Sequence, residues 1–292
     1  MILKNTMKIF LFAILWLPLF SCNIFEDKDA SDAGVKGKKR DLPKNMHYDY
    51  DCLHAEDSSQ FREILSKADK IINAVATFDI EVTDEEQMLY GDSFLVESLK
   101  DKNFLIDSTS PILPKLNRIL AELVAQRASP SGIKYSIYLL EDTANVNAYT
   151  IGGKIFITQG ILNRCKNDDQ LYAIIGHEIG HNEKGHLKNI MKQIKASNKL
   201  FGEWGEPLVA IKRLLTGSFN QKNELEADYY GLDLSWKLGY DVCSIIEFWD
   251  VLSQQEQRDD AFFDFFRTHP YSDTRSQCLA NHIEKNFSVS CP

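Results

Sequence analysis

A short segment of the chain, His177-Glu178-Ile-Gly-His181, contains residue types that bind and use a metal ion. The two histidines are four residues apart, so on a helix they share one face and both imidazoles can reach one cation. Glu178 lies about 100° around the helix from His177, which places its carboxylate beside the cation. There it can take a proton from an attacking water. The segment therefore predicts a zinc hydrolase, with a solvated helix face as the alternative.

A third metal ligand has to come from later in the chain. The extended pattern with a third histidine requires glycine at position 184 and histidine at position 187, where this sequence has Lys184 and Leu187. Gly185 and His186 each miss the required position by one residue, so this pattern is excluded. We assign His186 a structural role or a place behind the metal ligands. A carboxylate is then the expected third ligand.

The best source of that carboxylate is the sequence Glu224-Leu-Glu226-Ala-Asp228, on a helix predicted from about 221 to 238. Glu224 and Asp228 are one turn apart and face the same way, which suits one metal ligand and one residue that orients a ligand. Glu226 points elsewhere on a regular helix, so Glu224 and Glu226 cannot both bind the metal. A charged surface patch is the alternative interpretation of these acids.

These residues have to be positioned by a mostly helical chain. Apolar periodicity predicts the helices, whereas two β-branched and aromatic runs predict strands, with a turn at Gly152-Gly153. The predicted helices cover 56–76, a segment starting near Thr83, the segment with Leu116 to Val124, 168–186 and 221–238; the predicted strands cover 133–140 and 154–158. The sequence thus predicts one α+β domain with a small β-sheet beside the metal-binding helix.

The histidine segment followed by the acidic segment resembles the Ste-type zinc endopeptidases of peptidase family M48. The resemblance implies a mostly helical, gluzincin-type metalloprotease domain that holds one zinc ion (Zn²⁺) through His177, His181 and Glu224. It further implies Glu178 as the catalytic general base and Asp228 as the support of a zinc-bound histidine. Within the family, the chain is most similar to the bacterial lipoprotein branch.

Two further segments fit the same family. Asn147-Ala148-Tyr149 is similar to the substrate-side edge strand of these enzymes, so the resemblance implies that a peptide binds along these residues. His269 and Arg275, in the pattern Thr-His-Pro-x-x-x-x-Arg, resemble an element that lies near the zinc and has a regulatory or transition-state role. The resemblance implies that His269 can supply an extra ligand and leave the site latent. A histidine in a structural turn is the alternative.

The first 21 residues predict an export signal. Two lysines precede an apolar run over 9–20, which is short for a membrane-spanning helix. The run ends in Leu19-Phe-Ser-Cys22, which resembles a bacterial lipobox and implies cleavage before Cys22 and lipidation of its thiol. Such a protein is anchored in the bacterial cell envelope and faces the periplasm, and Asn23 favours the outer membrane over the inner one. An ordinary signal peptide is the alternative.

Composition limits the remaining possibilities. The chain has 292 residues, of which 44% are hydrophobic and 26% charged, as in ordinary globular proteins. Its 42 acidic and 33 basic side chains give a net charge of −9 without a basic block, which argues against nucleic acid as a partner. Residues 22–47 are poor in apolar side chains and predict a flexible tether. Residues 48–292 then form one predicted peptidase domain.

Five cysteines remain after Cys22. An exported protein meets an oxidising compartment, so disulfides are expected, and the odd number leaves at least one thiol free. Cys278 and Cys291 are 13 residues apart and suggest a staple near the C-terminus, but the sequence leaves the pairing open. The five are Cys52, Cys165, Cys243, Cys278 and Cys291.

These features predict a lipid-anchored zinc endopeptidase whose partners are polypeptides and a membrane. Zinc polarises the scissile carbonyl, while Glu178 activates the water and passes its proton to the leaving amine. A substrate that binds as an added strand is recognised through backbone groups, which suits misfolded or unassembled envelope proteins. Two alternatives stay open: a chaperone or assembly factor with a latent zinc site, and a metal-binding lipoprotein without catalysis.

Overall fold

The computed structural model describes residues 38–54, 80–201, 219–255, 269 and 273–291. Three predictions lie outside these residues, namely the export signal over 1–21, the lipidation of Cys22 and the helix over 56–76. Among the described residues, no helix combines the length and the apolar character needed to cross a membrane.

Helices make up most of the described chain and accompany a small sheet, which confirms the predicted α+β class. The helices are α1 (Asp84–Ser98), α2 (Leu113–Val124), α3 (Gln159–Leu162), α4 (Asp168–Glu183), α5 (His186–Phe201), α6 (Gln221–Leu238), α7 (Cys243–Gln255) and α8 (Asp273–Phe287). The strands are β1 (Ser136–Leu140), β2 (Ala148–Ile151) and β3 (Lys154–Thr158), and a 3-10 turn covers Asp51–His54.

Capping residues explain where the main helices begin. Thr83 accepts a hydrogen bond from the backbone N–H of Glu86, and the Glu86 side chain accepts one from the backbone N–H of Thr83, which forms a capping box at the start of α1. Asn167 caps α4 in the same way by accepting from the backbone N–H of Gln170. Pro114 lies in the first turn of α2, where its missing N–H costs no hydrogen bond.

The metal-binding helix α4 ends earlier than the sequence indicated. It was predicted to continue to His186, but it stops at Glu183 and α5 begins at His186. Gly185 lies between them with φ 74°, a left-handed conformation that glycine adopts without strain and that ends a helix. One predicted helix is therefore two.

The central strand of the sheet is β3, with β1 parallel to it on one side and β2 antiparallel on the other. Gly152 (φ 54°) and Gly153 (φ 84°) form the predicted turn between β2 and β3, since a two-residue turn of this kind needs positive φ at both positions. The first strand is shorter than predicted and begins at Ser136.

No strand in the described part of the chain pairs with the outer edge of β2. The Thr158 N–H donates to the Asn147 carbonyl at 3.0 Å, so these residues form a hydrogen-bonded pair at the start of β2. Hydrogen-bonded and non-hydrogen-bonded pairs alternate along antiparallel strands. The backbone groups of Ala148 and Thr150 therefore point away from β3, toward the open edge.

Helices α4 and α6 pack together more extensively than any other pair of described elements. A Cβ atom on Gly231 would lie 2.6 Å from the backbone nitrogen of His177, and one on Gly180 would lie 2.8 Å from the Ala227 carbonyl oxygen. Both distances are too short for real Cβ atoms, so the two backbones touch where glycine is present. This contact brings the histidines of α4 next to the acids of α6.

Residues 40–47 lie against the domain. The backbone N–H of Arg40 donates to the carbonyl of Lys237 at 3.0 Å, and its guanidinium stacks 4.1 Å from the ring centroid of Trp236 at the C-terminal end of α6. Two apolar side chains in this segment also pack on the core. The flexible tether predicted over 22–47 is corrected accordingly, because its last part belongs to the domain.

Two disulfides join segments that are distant in sequence. Cys52 pairs with Cys278, and Cys243 pairs with Cys291, while Cys165 is free. The suggested staple between Cys278 and Cys291 is wrong. Cys278 lies within α8 against the 3-10 turn, whereas the chain beyond α8 reaches the start of α7.

Candidate metal site

Four buried side chains direct their metal-binding atoms into one space: His177, His181, Glu224 and His269. These atoms lie within 4.8 Å of one another. His177 Nε2 is 2.9 Å from His181 Nε2 and 3.2 Å from His269 Nδ1. Glu224 Oε1 is 3.3 Å from His181 Nε2. Ligand atoms around a tetrahedral zinc ion lie roughly 3.3 Å apart, so the four have the spacing of a zinc site.

The chemistry of this donor set also fits a cation. Helix α4 supplies His177 and His181, the first turn of α6 supplies Glu224, and His269 precedes α8. Glu224 Oε1 is buried and has no hydrogen-bond partner among the described residues. A cation among the three imidazoles and the carboxylate would satisfy all of them. The structure thus brings the three predicted ligands together and adds His269.

Glu178 lies beside the four side chains, as the helical geometry predicted. Its Oε1 is 3.6 Å from His269 Nε2, and its buried Oε2 has no hydrogen-bond partner within the described segments. Burial raises the pKa of the Glu178 carboxyl, although the neighbouring His269 and His177 oppose this effect. A carboxyl group with a raised pKa is suited to accept a proton and release it again near neutral pH.

Behind the cluster, Asp228 supports His177 and Arg275 supports Asp228. His177 Nδ1 is 2.8 Å from Asp228 Oδ1, as expected for a residue that orients a metal ligand. Arg275 donates to Asp228 Oδ2 through Nε at 3.0 Å and Nη2 at 2.7 Å. Its Nη1 lies 3.2 Å from Glu224 Oε2. The buried guanidinium therefore holds two carboxylates of the site in one arrangement.

The charges in the cluster shift the pKa values of its members. Burial alone raises the pKa of Glu224, but its contacts with His269, His181 and Arg275 outweigh burial and hold that pKa well below the usual range. At His177, burial lowers the pKa, but hydrogen bonds with Asp228 and Glu224 outweigh it and raise the pKa to about 10. At His181 burial dominates and lowers the pKa. The site therefore holds an ionised Glu224.

Several residues of the site were missed or only partly identified from the sequence. His186 Nδ1 lies 3.0 Å from His181 Nδ1, and His186 Nε2 lies 3.0 Å from Glu226 Oε2, a contact that lowers the pKa of Glu226. The Phe219 ring stacks on the His181 imidazole with centroids 4.0 Å apart. The sequence indicated only a supporting role for His186. It gave no indication of Phe219, because an isolated aromatic residue forms no recognisable pattern.

Asn182 joins the metal-binding helix to the sheet. Its Nδ2 donates to Thr150 Oγ1 at 2.8 Å, and its Oδ1 accepts from the Gly153 N–H at 3.2 Å. Asn182 directly follows His181, so it fixes strand β2 relative to the four clustered side chains that could bind a metal ion, which we call the ligand cluster. No sequence signal identified this contact.

The predicted substrate strand lies next to the ligand cluster. The Ala148 carbonyl is 3.2 Å from His269 Nε2. Asn147 is buried, and its Oδ1 has no hydrogen-bond partner in the part of the chain that the structure describes. The Tyr149 ring stacks on Phe156, with centroids 5.0 Å apart. Of the three predicted residues, Ala148 contacts the cluster directly.

The sequence pattern of Peptidase family M48 matches residues 113–283, which is more than half of the chain. This chain belongs to peptidase family M48. The matched region contains the four clustered side chains, Glu178 and the Asp228–Arg275 pair. The family consists of metalloendopeptidases, so the resemblance seen in the sequence is confirmed.

Similar members of the M48 family come from mitochondria and bacteria. Mitochondrial metalloendopeptidase OMA1 of Schizosaccharomyces pombe is 29% identical over 182 residues, which cover 59% of this chain and 53% of that protein. Metalloprotease LoiP of Escherichia coli is 27% identical over 210 residues, 63% of this chain and 77% of LoiP. Beta-barrel assembly-enhancing protease of Escherichia coli is 25% identical over 209 residues, 65% of this chain and 42% of that protein. The chain thus spans about half the length of the OMA1 relative.

Proposed function

We propose that this M48 peptidase is a zinc-dependent endopeptidase. The observation that carries the proposal is the buried cluster of His177, His181 and Glu224 with the carboxyl group of Glu178 beside it. A zinc ion held by these three ligands would polarise the scissile carbonyl and make a water a better nucleophile. Glu178 accepts the proton of that water and then donates it to the leaving amine.

The proposed binding site for the peptide is the open edge of β2. The backbone groups of Ala148 and Thr150 point to this edge, and Ala148 lies next to the ligand cluster. A peptide that adds a strand here is held mainly through its main chain, so many sequences are accepted. An extended segment is required, which favours unfolded chains over folded ones.

The proposed substrates are misfolded or unassembled proteins of the bacterial envelope. The name of the beta-barrel assembly-enhancing protease associates one relative with the assembly of β-barrels, and that association supports the proposed class of substrates. The lipobox-like sequence ending in Cys22 supports a lipid anchor, with the domain in the periplasm and the outer membrane as the favoured site. Detection of lipid on Cys22 by mass spectrometry tests the anchor.

His269 supports a second candidate function. Its imidazole fills the fourth position of the cluster and also contacts the Ala148 carbonyl, so a peptide on β2 has to displace it. A protein that stays in this closed arrangement would not cut a peptide at β2, and its zinc site would be latent, as in the chaperone or assembly factor considered above. The intact Glu178 favours the endopeptidase, since binding alone needs no general base.

Cleavage of casein by the zinc-loaded, full-length chain tests the proposal, with Glu178→Gln as the matched control. Cleavage by the wild type alone supports an endopeptidase that uses Glu178 as its base. Zinc binding by both proteins with cleavage by neither favours the latent candidate. Equal cleavage by both would rule out Glu178 as the base and overturn the proposed mechanism.

A further inference from the structure

We infer that Glu226 and His186 form a relay that orients His181 and strengthens its hold on the metal, an inference that rests on the proposed zinc site. His181 Nδ1 is 3.0 Å from His186 Nδ1, and His186 Nε2 is 3.0 Å from Glu226 Oε2. The three side chains therefore form one unbroken chain of hydrogen bonds that ends at His181 Nδ1, while His181 Nε2 faces the other metal ligands.

The direction of every hydrogen bond in this relay follows from the first. His181 turns Nε2 toward the other ligands, so as a neutral ligand it carries its proton on Nδ1. His186 Nδ1 must then accept that proton's hydrogen bond, which leaves the His186 proton on Nε2. A proton on Nε2 needs an acceptor, and Glu226 Oε2 is at the right distance. The carboxylate thus fixes the tautomers of both histidines.

The helix break between α4 and α5 makes the contact between His186 and His181 possible. On one uninterrupted helix, a residue five positions after His181 would lie about 140° around the axis from it. Gly185, with φ 74°, ends α4 and allows His186 to approach His181 from the start of α5. The contact between the two imidazole rings therefore depends on the helix break, because a regular helix through this segment would separate them.

The two ligand histidines of α4 are supported differently. His177 contacts a carboxylate directly, and that carboxylate is buried and held by Arg275. His181 reaches its carboxylate through His186, and the Glu226 side chain keeps 25% of its surface exposed, with Lys222 4.0 Å away at the rim. Negative charge near a ligand imidazole raises its basicity and its affinity for metal. Glu226 therefore supports the site from a partly exposed position.

The test is the affinity of the full-length chain for Zn²⁺, measured by competition with a chromogenic chelator. Loss of a residue that supports a metal ligand typically weakens binding by roughly 10- to 100-fold. We expect such a loss for His186→Phe and a loss of about tenfold for Glu226→Gln, which keeps the shape but removes the charge. Glu247→Gln, the same substitution at an exposed position of α7, is the matched control and should leave the affinity unchanged.

The double variant distinguishes a relay from two separate effects. Because Glu226 acts through His186, adding Glu226→Gln to His186→Phe should cause no further loss, whereas additive losses would overturn the relay. Unchanged affinity in Glu226→Gln would also overturn it, and this partly exposed position decides the matter if His186→Phe fails to fold. The unfolding midpoint of the zinc-free proteins reports folding separately. A wild type that binds no zinc would overturn the proposed function instead.

Discussion

His269 Nε2 and the backbone carbonyl of Ala148 are 3.2 Å apart, so one side chain of the ligand cluster also contacts the proposed substrate strand. The carbonyl can only accept, which means that Nε2 donates and Nδ1 keeps a lone pair for the cation. The same imidazole thus takes the place of a peptide on β2 and the fourth place of the cluster. Opening the site for substrate means moving His269.

Replacement of His269 by alanine is expected to raise the rate of casein cleavage. If His269 blocks the site in roughly nine molecules out of ten, removing it increases the rate by about tenfold. The variant frees the Ala148 carbonyl and the fourth ligand position at once. The ratio kcat/KM for a casein-derived peptide measures the effect, and His47→Ala, at an exposed position, is the control. A fall to the level of Glu178→Gln would mean that His269 takes part in the reaction.

Replacement of Arg275 by methionine is expected to destabilise the protein by about 3–5 kcal/mol, because it leaves buried carboxylates without their cation. Arg275 contacts both Asp228 and Glu224, so zinc binding should weaken as well. Urea unfolding gives the free energy of unfolding, and the exposed Arg118→Met is the matched control. An unchanged free energy would show that Arg275 is dispensable for the arrangement of the acids.

Replacement of Gly231 by alanine is expected to push α4 and α6 apart. The new Cβ would lie 2.6 Å from the backbone nitrogen of His177, and such overpacking costs about 1–3 kcal/mol or more. Because the metal ligands come from both helices, Zn²⁺ affinity should fall together with the unfolding midpoint. Glu247→Ala, at an exposed position of α7, should change neither. Wild-type zinc affinity in Gly231→Ala would contradict the role of this contact.

The buried carboxylate of Glu183 predicts a pH-dependent contribution to stability. Burial raises its pKa, but hydrogen bonds from Ser131, Tyr135 and Arg127 outweigh burial and lower the pKa below its ordinary value of 4.5. A carboxylate with a lowered pKa stabilises the fold above the pKa of the unfolded chain, and this stabilisation is lost as the pH falls through the folded value.

At neutral pH, Glu183→Gln should therefore reduce the free energy of unfolding by about 1–3 kcal/mol. The difference from the wild type should shrink as the pH falls below the ordinary range of glutamate. Urea unfolding at a series of pH values measures it, with the exposed Glu247→Gln as control. A difference that stays constant down to low pH would assign the loss to packing rather than to charge.

The part of the site that local sequence determines was predicted well. The positions of His177, Glu178 and His181 on one helix follow from helical periodicity alone, and the same holds for Glu224 and Asp228 on α6. That these two helices meet was inferred from metal chemistry and family resemblance, since no local pattern joins residues so far apart. The glycines at their contact explain why they meet.

The features that depend on tertiary structure were not predictable in the same way. The contact of His186 with His181 requires the helix break at Gly185, and the two disulfides join elements whose packing had to be known first. The Asn182 contact with β2 depends on the same packing of helix against sheet. The export signal and the helix over 56–76 stay predictions.

The contact of Arg40 with Lys237 holds the first described residues of the chain at the C-terminal end of α6. Helices rise 1.5 Å per residue, so this contact lies about 20 Å along α6 from Glu224. If Cys22 carries a lipid as proposed, the 18 residues from Asn23 to Arg40 span at most about 60 Å when fully extended. Such a linker would keep the domain within that distance of the membrane surface, so the proposed enzyme would reach only substrates that come close to the membrane.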